Sequence, residues 1–434
     1  MRRRLWHLTI IGGFLPAALA IQTRSVAQSA TPTFSKDVAP ILYKNCVSCH
    51  RPGEMAPMSL MTYELARPYA RSIQARVELG VMPPWHAEAP KGTFINDRRL
   101  TPAEKQTLIQ WAANGAPEGD PKDLPPPPIF PTGWTIGKPD AVVSMAEPFE
   151  VPASGTIAYQ YFQVPTNFVE DKWIQVLEIR PGARRVVHHV LVFASEPGGA
   201  ARQQPFIQRN DGGRGAQIAP AAATALAQAV RGRVQSAAVT RGPLIATTAP
   251  GTNAQIFEAG RALLIKAGSV LTLQVHYTAT GKAESDRTSV GFIFAKEPAK
   301  QEVRSASFIN LQLAIPPRAG DYRLDAQIEF TQDTHITALF PHTHLRGKSW
   351  EYRMTYPDGR EEVVLSVPNY DFNWQTYYEF TKPLAAPKGS RLVAIAHYDN
   401  SANNKSNPNP NAEVRWGDQT WEEMQYSGIT YTVD

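Results

Sequence analysis

The chain is expected to fold as a multidomain protein, one all-α domain followed by two all-β sandwich domains of jelly-roll-like type. Three observations lead there: apolar residues at helical spacing up to about Pro117, a proline-dense stretch beyond it, and apolar alternation of period two from there to the end. At 434 residues, with 43% apolar and 19% charged content, the chain exceeds one ordinary core and is too hydrophobic for disorder.

Residues 1–27 read as a cleavable signal peptide: three arginines, an apolar run from Leu5 to Ala20, and small residues Ser25-Val26-Ala27 before a cut. The run is interrupted by Gly12, Gly13 and Pro16, which disfavours a retained anchor. A periplasmic or secreted protein is expected, with no membrane partner unless the signal stays uncleaved. The whole chain has 44 Lys+Arg against 39 Asp+Glu; without Arg2, Arg3, Arg4 and Arg24 the balance is 40 against 39. A net charge near +1 provides no field to attract nucleic acid. The only cysteines, Cys46 and Cys49, leave no disulfide framework, so burial must hold the fold.

In the expected helical domain, residues 31–118, Phe34, Val38, Ile41 and Leu42 share one helix face, and Pro40 keeps that helix short. Thr101-Pro102-Ala103-Glu104 is a capping box with proline at the first helical position, opening a helix that Gly115 can close. Residues 117–131 hold seven prolines and read as a stiff, extended spacer, so the linker is placed at 119–132. The first sandwich, 133–298, is expected to use strands at 161–164, 173–179, 186–193, 270–277 and 289–294; the second, 299–434, strands at 335–340, 351–356, 376–380, 391–398 and 425–433. Residues 196–252, rich in Gly, Ala, Gln and Arg, read as a surface insertion with a possible helix at 221–230.

Cys46-Val47-Ser48-Cys49-His50 has the spacing for two thioether bonds to haem vinyl groups, with the adjacent imidazole on the iron. A redox dithiol or half of a zinc site is the alternative, but no further cysteine completes a zinc site. A sixth iron ligand is expected from Gly80-Val81-Met82-Pro83-Pro84-Trp85-His86; Met82 is the choice and His86 its rival. Met55, Met58 and Met61 read as packing. This segment resembles a small class I cytochrome c, which implies covalent haem c.

Five of the ten histidines fall in motifs: His188-His189, His276 in Leu271-Thr272-Leu273-Gln274-Val275-His276-Tyr277, and His342-Thr343-His344. Residues two apart on a strand share a face, so His342 and His344 can grip one metal. His188 and His189 would need a bulge or a strand end to do the same. His335 and His397 read as structural. The paired histidines, the Leu-Gln-Val-His-Tyr, the His-Thr-His and the terminal Glu422-Glu423-Met424 resemble, in order and from Trp134 to the C-terminus, the copper type II monooxygenases. That family includes peptidylglycine α-hydroxylating and dopamine β-monooxygenase.

The resemblance implies two copper ions: an electron-transfer copper on His188, His189 and His276, and an oxygen-activating copper on the catalytic residues His342, His344 and Met424. It also implies dioxygen and a small-molecule substrate. The chain departs from the animal enzymes in lacking their disulfides, in carrying Gln425 where they have cysteine, and in its haem segment. That segment would bring electrons from a periplasmic donor in place of, or beside, ascorbate or another external reductant. The alternative is an electron-transfer cytochrome whose sandwiches bind copper without catalysis.

Overall fold

The computed structural model describes residues 31–199, 204–209, 242–249 and 254–433. The signal expected at 1–27 and the helix considered at 221–230 lie outside them. No helix among the described residues is long and apolar enough to cross a membrane.

The period-two pattern produces strands close to where it places them. A nine-stranded sheet runs in the order Ala141–Ser144, Ser289–Phe294, Lys172–Arg180, Arg261–Ile265, Gln301–Ile309, Tyr426–Val433, Thr334–His342, Tyr378–Ala386, with Gln255–Ile256 attached beside Lys172–Arg180. Two smaller sheets cover it. The four-stranded one, Gln160–Pro165, Val270–Tyr277, Val187–Ser195, Leu244–Thr248, shares a core of Val190, Val192, Leu271, Leu273 and Phe292 with the first half of the large sheet. The five-stranded one, Glu361–Val367, Gly347–Thr355, Arg391–Tyr398, Tyr322–Phe330, Phe206–Arg209, shares a core of Phe308, Leu339, Tyr352 and Ala394 with the second half. Both described flanks of the expected surface insertion are therefore sheet strands.

Two corrections to the expected fold class follow. The sandwiches are not separate: Gln301–Ile309 pairs in parallel with Arg261–Ile265 on one edge and antiparallel with Tyr426–Val433 on the other, so one sheet serves both layers. Nor does an all-α domain precede the sheets; strand is the predominant regular structure, at 39% of the described residues, and the helices are few and short. The short helices Ala39–Asn45, Tyr63–Ala66, Ala70–Glu78 and Pro102–Ala113 do gather around Phe34, Leu42, Leu108 and Trp111, and the Thr101–Glu104 capping box is formed. Between the last two of these helices, however, the chain joins the β layers. Trp85, Ala87 and Phe94 are core residues of the second sandwich, and Glu88 bridges Ser366 while Phe94 bridges Phe380. The described residues from Pro32 onward form one compact unit. Pro83, Pro84 and Pro90 break any apolar period here, so the sequence reads as loop although its aromatic residues are anchors. The proline stretch is docked too: Trp111 Nε1 donates to the Pro117 carbonyl at 3.0 Å and the Arg51 guanidinium stacks 3.8 Å from the Phe130 ring centre.

The Trp85 ring lies 5.3 Å from that of Tyr378 and 5.9 Å from that of Phe94. Trp85→Ala is expected to cost about 3–5 kcal/mol, the usual range for emptying such a site. Urea denaturation measures the loss, and hydrogen exchange should show it in the strand Tyr378–Ala386. Unchanged protection of that strand would show that the helical segment is energetically separate from the sheets.

Candidate metal centre

Strand parity brings the histidines together. On the strand Val187–Ser195, residues His189, Leu191 and Phe193 share one face; on Thr334–His342, so do Ala338, Phe340 and His342. Leu191, Phe193 and Leu244 pack against Ala338, Phe340 and Tyr377 in one small apolar cluster. The histidine at the head of each row is thereby carried to the same place.

The difficulty posed by adjacent His188 and His189 is resolved by a bulge. His276 pairs with His189 and Tyr277 with Val187, so His188 is the extra residue. The ligand nitrogens of His188, His189 and His276 all lie within 4.8 Å of one another, and the two Nδ1 atoms of His188 and His189 are 3.0 Å apart. His342 ends its strand, and His344 follows in a turn with its ring centre 5.2 Å from that of His342. Gly347 closes this turn at close quarters, because a Cβ there would fall 2.2 Å from Thr343 Cγ2.

Glu423 secures the second set. Fully buried, it accepts from the backbone N–H groups of His344 at 2.8 Å, Arg346 at 2.7 Å and Met424 at 3.2 Å, and from the Thr343 hydroxyl. One carboxylate thus ties the His344 turn to the Met424 segment. Burial pushes its pKa up to about 7 against these donors and the Arg346 charge, which favour the ionised form. Gln425 donates to the carbonyls of Leu324 at 3.1 Å and Ala394 at 3.0 Å, fastening the Met424 segment to the five-stranded sheet.

The two sets are neighbours. The Tyr159 ring centre is 4.9 Å from that of His276, 5.5 Å from His189 and 6.1 Å from His344. Phe372 stacks on His188 at 5.8 Å and lies 6.0 Å from His344. The Gln375 side chain reaches His342 and His189 together. Neither Tyr159, Phe372 nor Gln375 belongs to a sequence pattern, and only the tertiary fold identifies them.

Burial holds every imidazole of the cluster neutral. It pushes His188 and His342 down to about 4 and His276 to about 3, and His189 and His344 well below their ordinary value, with mutual repulsion among the rings adding to the effect on His189, His276 and His344. His276 Nδ1, His344 Nε2 and His189 Nε2 are buried without a hydrogen-bond partner. Buried polar nitrogens are seldom left so, and neutral imidazoles gathered this closely are a donor set that could hold a metal ion. His335 and His397 stand apart from the cluster, and His397 pairs with Asp321 at 2.9 Å.

At the other candidate site, His50 Nδ1 lies 3.3 Å from the Met58 carbonyl, which leaves Nε2 for iron. Burial pushes the Cys46 thiol up to about 12, the reverse of what a redox-active dithiol requires. Met82 is half-buried just past the helix Ala70–Glu78. His86 has Nε2 buried without a partner and lines a cavity of about 930 Å³ together with Val81, Asp371 and Phe372. That cavity lies between the helical segment and the loop that touches the histidine cluster.

No family model matches the chain, and no curated protein matches it. Among solved structures, the major capsid protein P2 from bacteriophage PM2 is 9% identical, with 68% of this chain and 97% of that one covered at a TM-score of 0.29. A structure of infectious bursal disease virus Gt strain is 11% identical, with 71% and 74% covered at 0.18. A structure of allantoicase is 9% identical, with 58% and 81% covered at 0.15. At such scores these likenesses assign neither fold nor function.

The depressed histidine pKa values set a pH dependence for the metal-free protein. Unfolded imidazoles take up protons near 6.5, whereas the buried ones stay neutral down to about 4. The unfolded state therefore binds more protons in that window, and stability, full above it, falls as pH drops through it. Urea midpoints at about pH 7 and about pH 5 should differ accordingly, and His276→Gln should narrow the difference. Equal midpoints would mean that the imidazoles are solvated.

Proposed function

We propose that the chain is an exported haem- and copper-dependent monooxygenase that hydroxylates a C–H bond of a small molecule. The observation that carries the reading is the convergence of His188, His189 and His276 beside His342 and His344, with buried ring nitrogens left unpartnered and Met424 lining one cavity with His342. The net reaction places one oxygen atom of dioxygen in the C–H bond and reduces the other to water, consuming two electrons and two protons. Copper held there would supply one-electron redox chemistry and the reduction of dioxygen.

The remaining work falls to this chain's residues. Three imidazoles at the bulged strand end make a site stable in both copper oxidation states; two imidazoles and the Met424 thioether favour the reduced ion. Glu423 ties the backbone of the His344 turn to that of Met424, which limits how far the two can move apart. His342 and Met424 line a cavity of about 100 Å³ with Tyr159, Leu191, Phe193 and Tyr426. These walls are largely apolar; they exclude water and suit the uncharged part of a small substrate.

The haem reading rests on Cys46, Cys49 and His50, with Met82 or His86 as the second iron ligand. Haem c there would supply one-electron transfer from a periplasmic donor or an ascorbate-like reductant. Trp85 and Phe94 fasten the stretch that carries Met82 and His86 to the core under the five-stranded sheet, so a haem bound there would be tethered to the β layers within one chain.

The copper-to-haem ratio of the copper-reconstituted protein is expected to be about two, by elemental analysis against haem absorbance. Substrate-dependent oxygen uptake then separates a monooxygenase from a copper-binding electron carrier. His344→Ala is expected to abolish turnover and leave the haem spectrum intact; retained turnover would remove the oxygen-activating role from that residue. Met82→Ala is expected to convert the haem to a high-spin form, and if only His86→Ala does so, His86 is the ligand.

A further inference from the structure

We infer that Gln375 is a positioning residue that supports metal binding at His342 and opposes it at His189, so that one amide couples the two copper sites. This rests on the copper reading above and adds a residue that no sequence motif singles out.

The orientation of the amide follows from its third contact. Gln375 Nε2 lies 3.3 Å from the Phe372 carbonyl oxygen, which can only accept. That end is therefore the NH2 group, and the other is the oxygen. Oε1 lies 2.8 Å from His342 Nδ1, so Nδ1 carries the hydrogen, and a neutral imidazole so protonated has its lone pair on Nε2. The NH2 group also approaches His189 Nδ1 at 3.4 Å, so that nitrogen presents a lone pair.

The assignment agrees with the neighbouring rings. His344 has Nδ1 3.3 Å from the Glu422 carbonyl and Nε2 unpartnered, so it offers Nε2 as His342 does. His276 has Nδ1 unpartnered, and His188 Nδ1 sits 3.0 Å from His189 Nδ1, so these three Nδ1 atoms are the set's candidate ligand atoms and the unpartnered Nε2 of His189 carries that ring's hydrogen rather than a metal.

The two hydrogen bonds of the amide then differ in their relation to a metal. The bond to His342 engages the nitrogen opposite the ligating one; it survives binding, fixes the tautomer and raises ligand basicity. The longer contact to His189 occupies the lone pair that a metal needs and must be surrendered. Removing the amide should therefore weaken one site and spare or strengthen the other, whereas a general packing defect would weaken both.

The test uses the full-length, haem-loaded protein and copper alone, titrated against a competing chelator and followed by electron paramagnetic resonance. His276→Ala leaves only the His342/His344/Met424 site; His344→Ala leaves only the three-histidine site. In the first background Gln375→Leu is expected to lower copper affinity roughly 10–100-fold. In the second, affinity should stay level or rise. Gln375→Glu, which keeps an acceptor for His342 and lacks the NH2 group, should restore affinity in the first background and stay level or tighter in the second. Should Gln375→Leu fail to fold, the Gln375→Glu pair decides alone. Equal weakening of both sites, or no change at the His342 site, would overturn the inference while leaving the copper reading in place. No copper bound in either parent background would remove the copper reading itself, and this inference with it.

Discussion

The centre depends on one apolar contact. Leu191, Phe193 and Leu244 meet Ala338, Phe340 and Tyr377 where the outer face of the four-stranded sheet lies on the second half of the large sheet. Because strand residues alternate faces, this contact fixes which histidines look at one another: His189 stands two residues before Leu191, and His342 two after Phe340. A one-residue slip in either strand would turn its histidine to the opposite face. Phe340 also stacks on Tyr377 at 4.6 Å and on His342 at 5.9 Å, so the packing that joins the layers orients a site ring as well.

Gathering five imidazoles and a carboxylate in a dry place is electrostatically unfavourable unless the groups are neutral or satisfied. The histidines meet this by remaining uncharged, and Glu423 by collecting three backbone donors and the Thr343 hydroxyl. Arg346, buried beside it, is satisfied in turn by Asn400 at 2.9 Å and the Trp421 carbonyl at 3.0 Å. Hydrogen bonds that radiate from Glu423 and Gln425 here serve the anchoring role that cross-links serve in disulfide-rich sandwiches, consistent with a chain whose only cysteines lie together at residues 46 and 49.

Much of this was legible in the sequence, and what was not has a physical reason. Alternation located the strands at 270–277, 289–294 and 391–398 to the residue, because buried strands must alternate or run apolar. The bulge that His188 and His189 require could be stated as a condition but not placed, since bulges come from pairing. The single sheet crossing both halves was illegible because it arises from a parallel pairing between Arg261–Ile265 and Gln301–Ile309, which no local pattern encodes. The helical segment was mistaken for an independent domain because Trp85 and Phe94 sit among prolines in an aperiodic stretch, and their partners lie nearly 300 residues away. Gln375, Tyr159 and Phe372 are ordinary residues made important by position.

The loop between the strands Glu361–Val367 and Tyr378–Ala386 draws these threads together. On one side Tyr370, Asp371 and Phe372 face the large cavity that His86 and Val81 bring from the helical segment. On the other, Phe372 covers His188 and His344 while Gln375 reaches His342 and His189. The same loop meets the helical segment at its two flanks, where Ser366 accepts from the Glu88 N–H at 2.8 Å and Glu379 from the Ile95 N–H at 2.8 Å. Glu88 and Ile95 thereby fasten the stretch that follows Met82 and His86 to the flanks of the loop whose Phe372 and Gln375 touch the histidines. Trp85, whose ring lies 5.3 Å from that of Tyr378, backs the same attachment, so the placement of Phe372 and Gln375 over the rings depends on how this stretch of chain packs on the sheets.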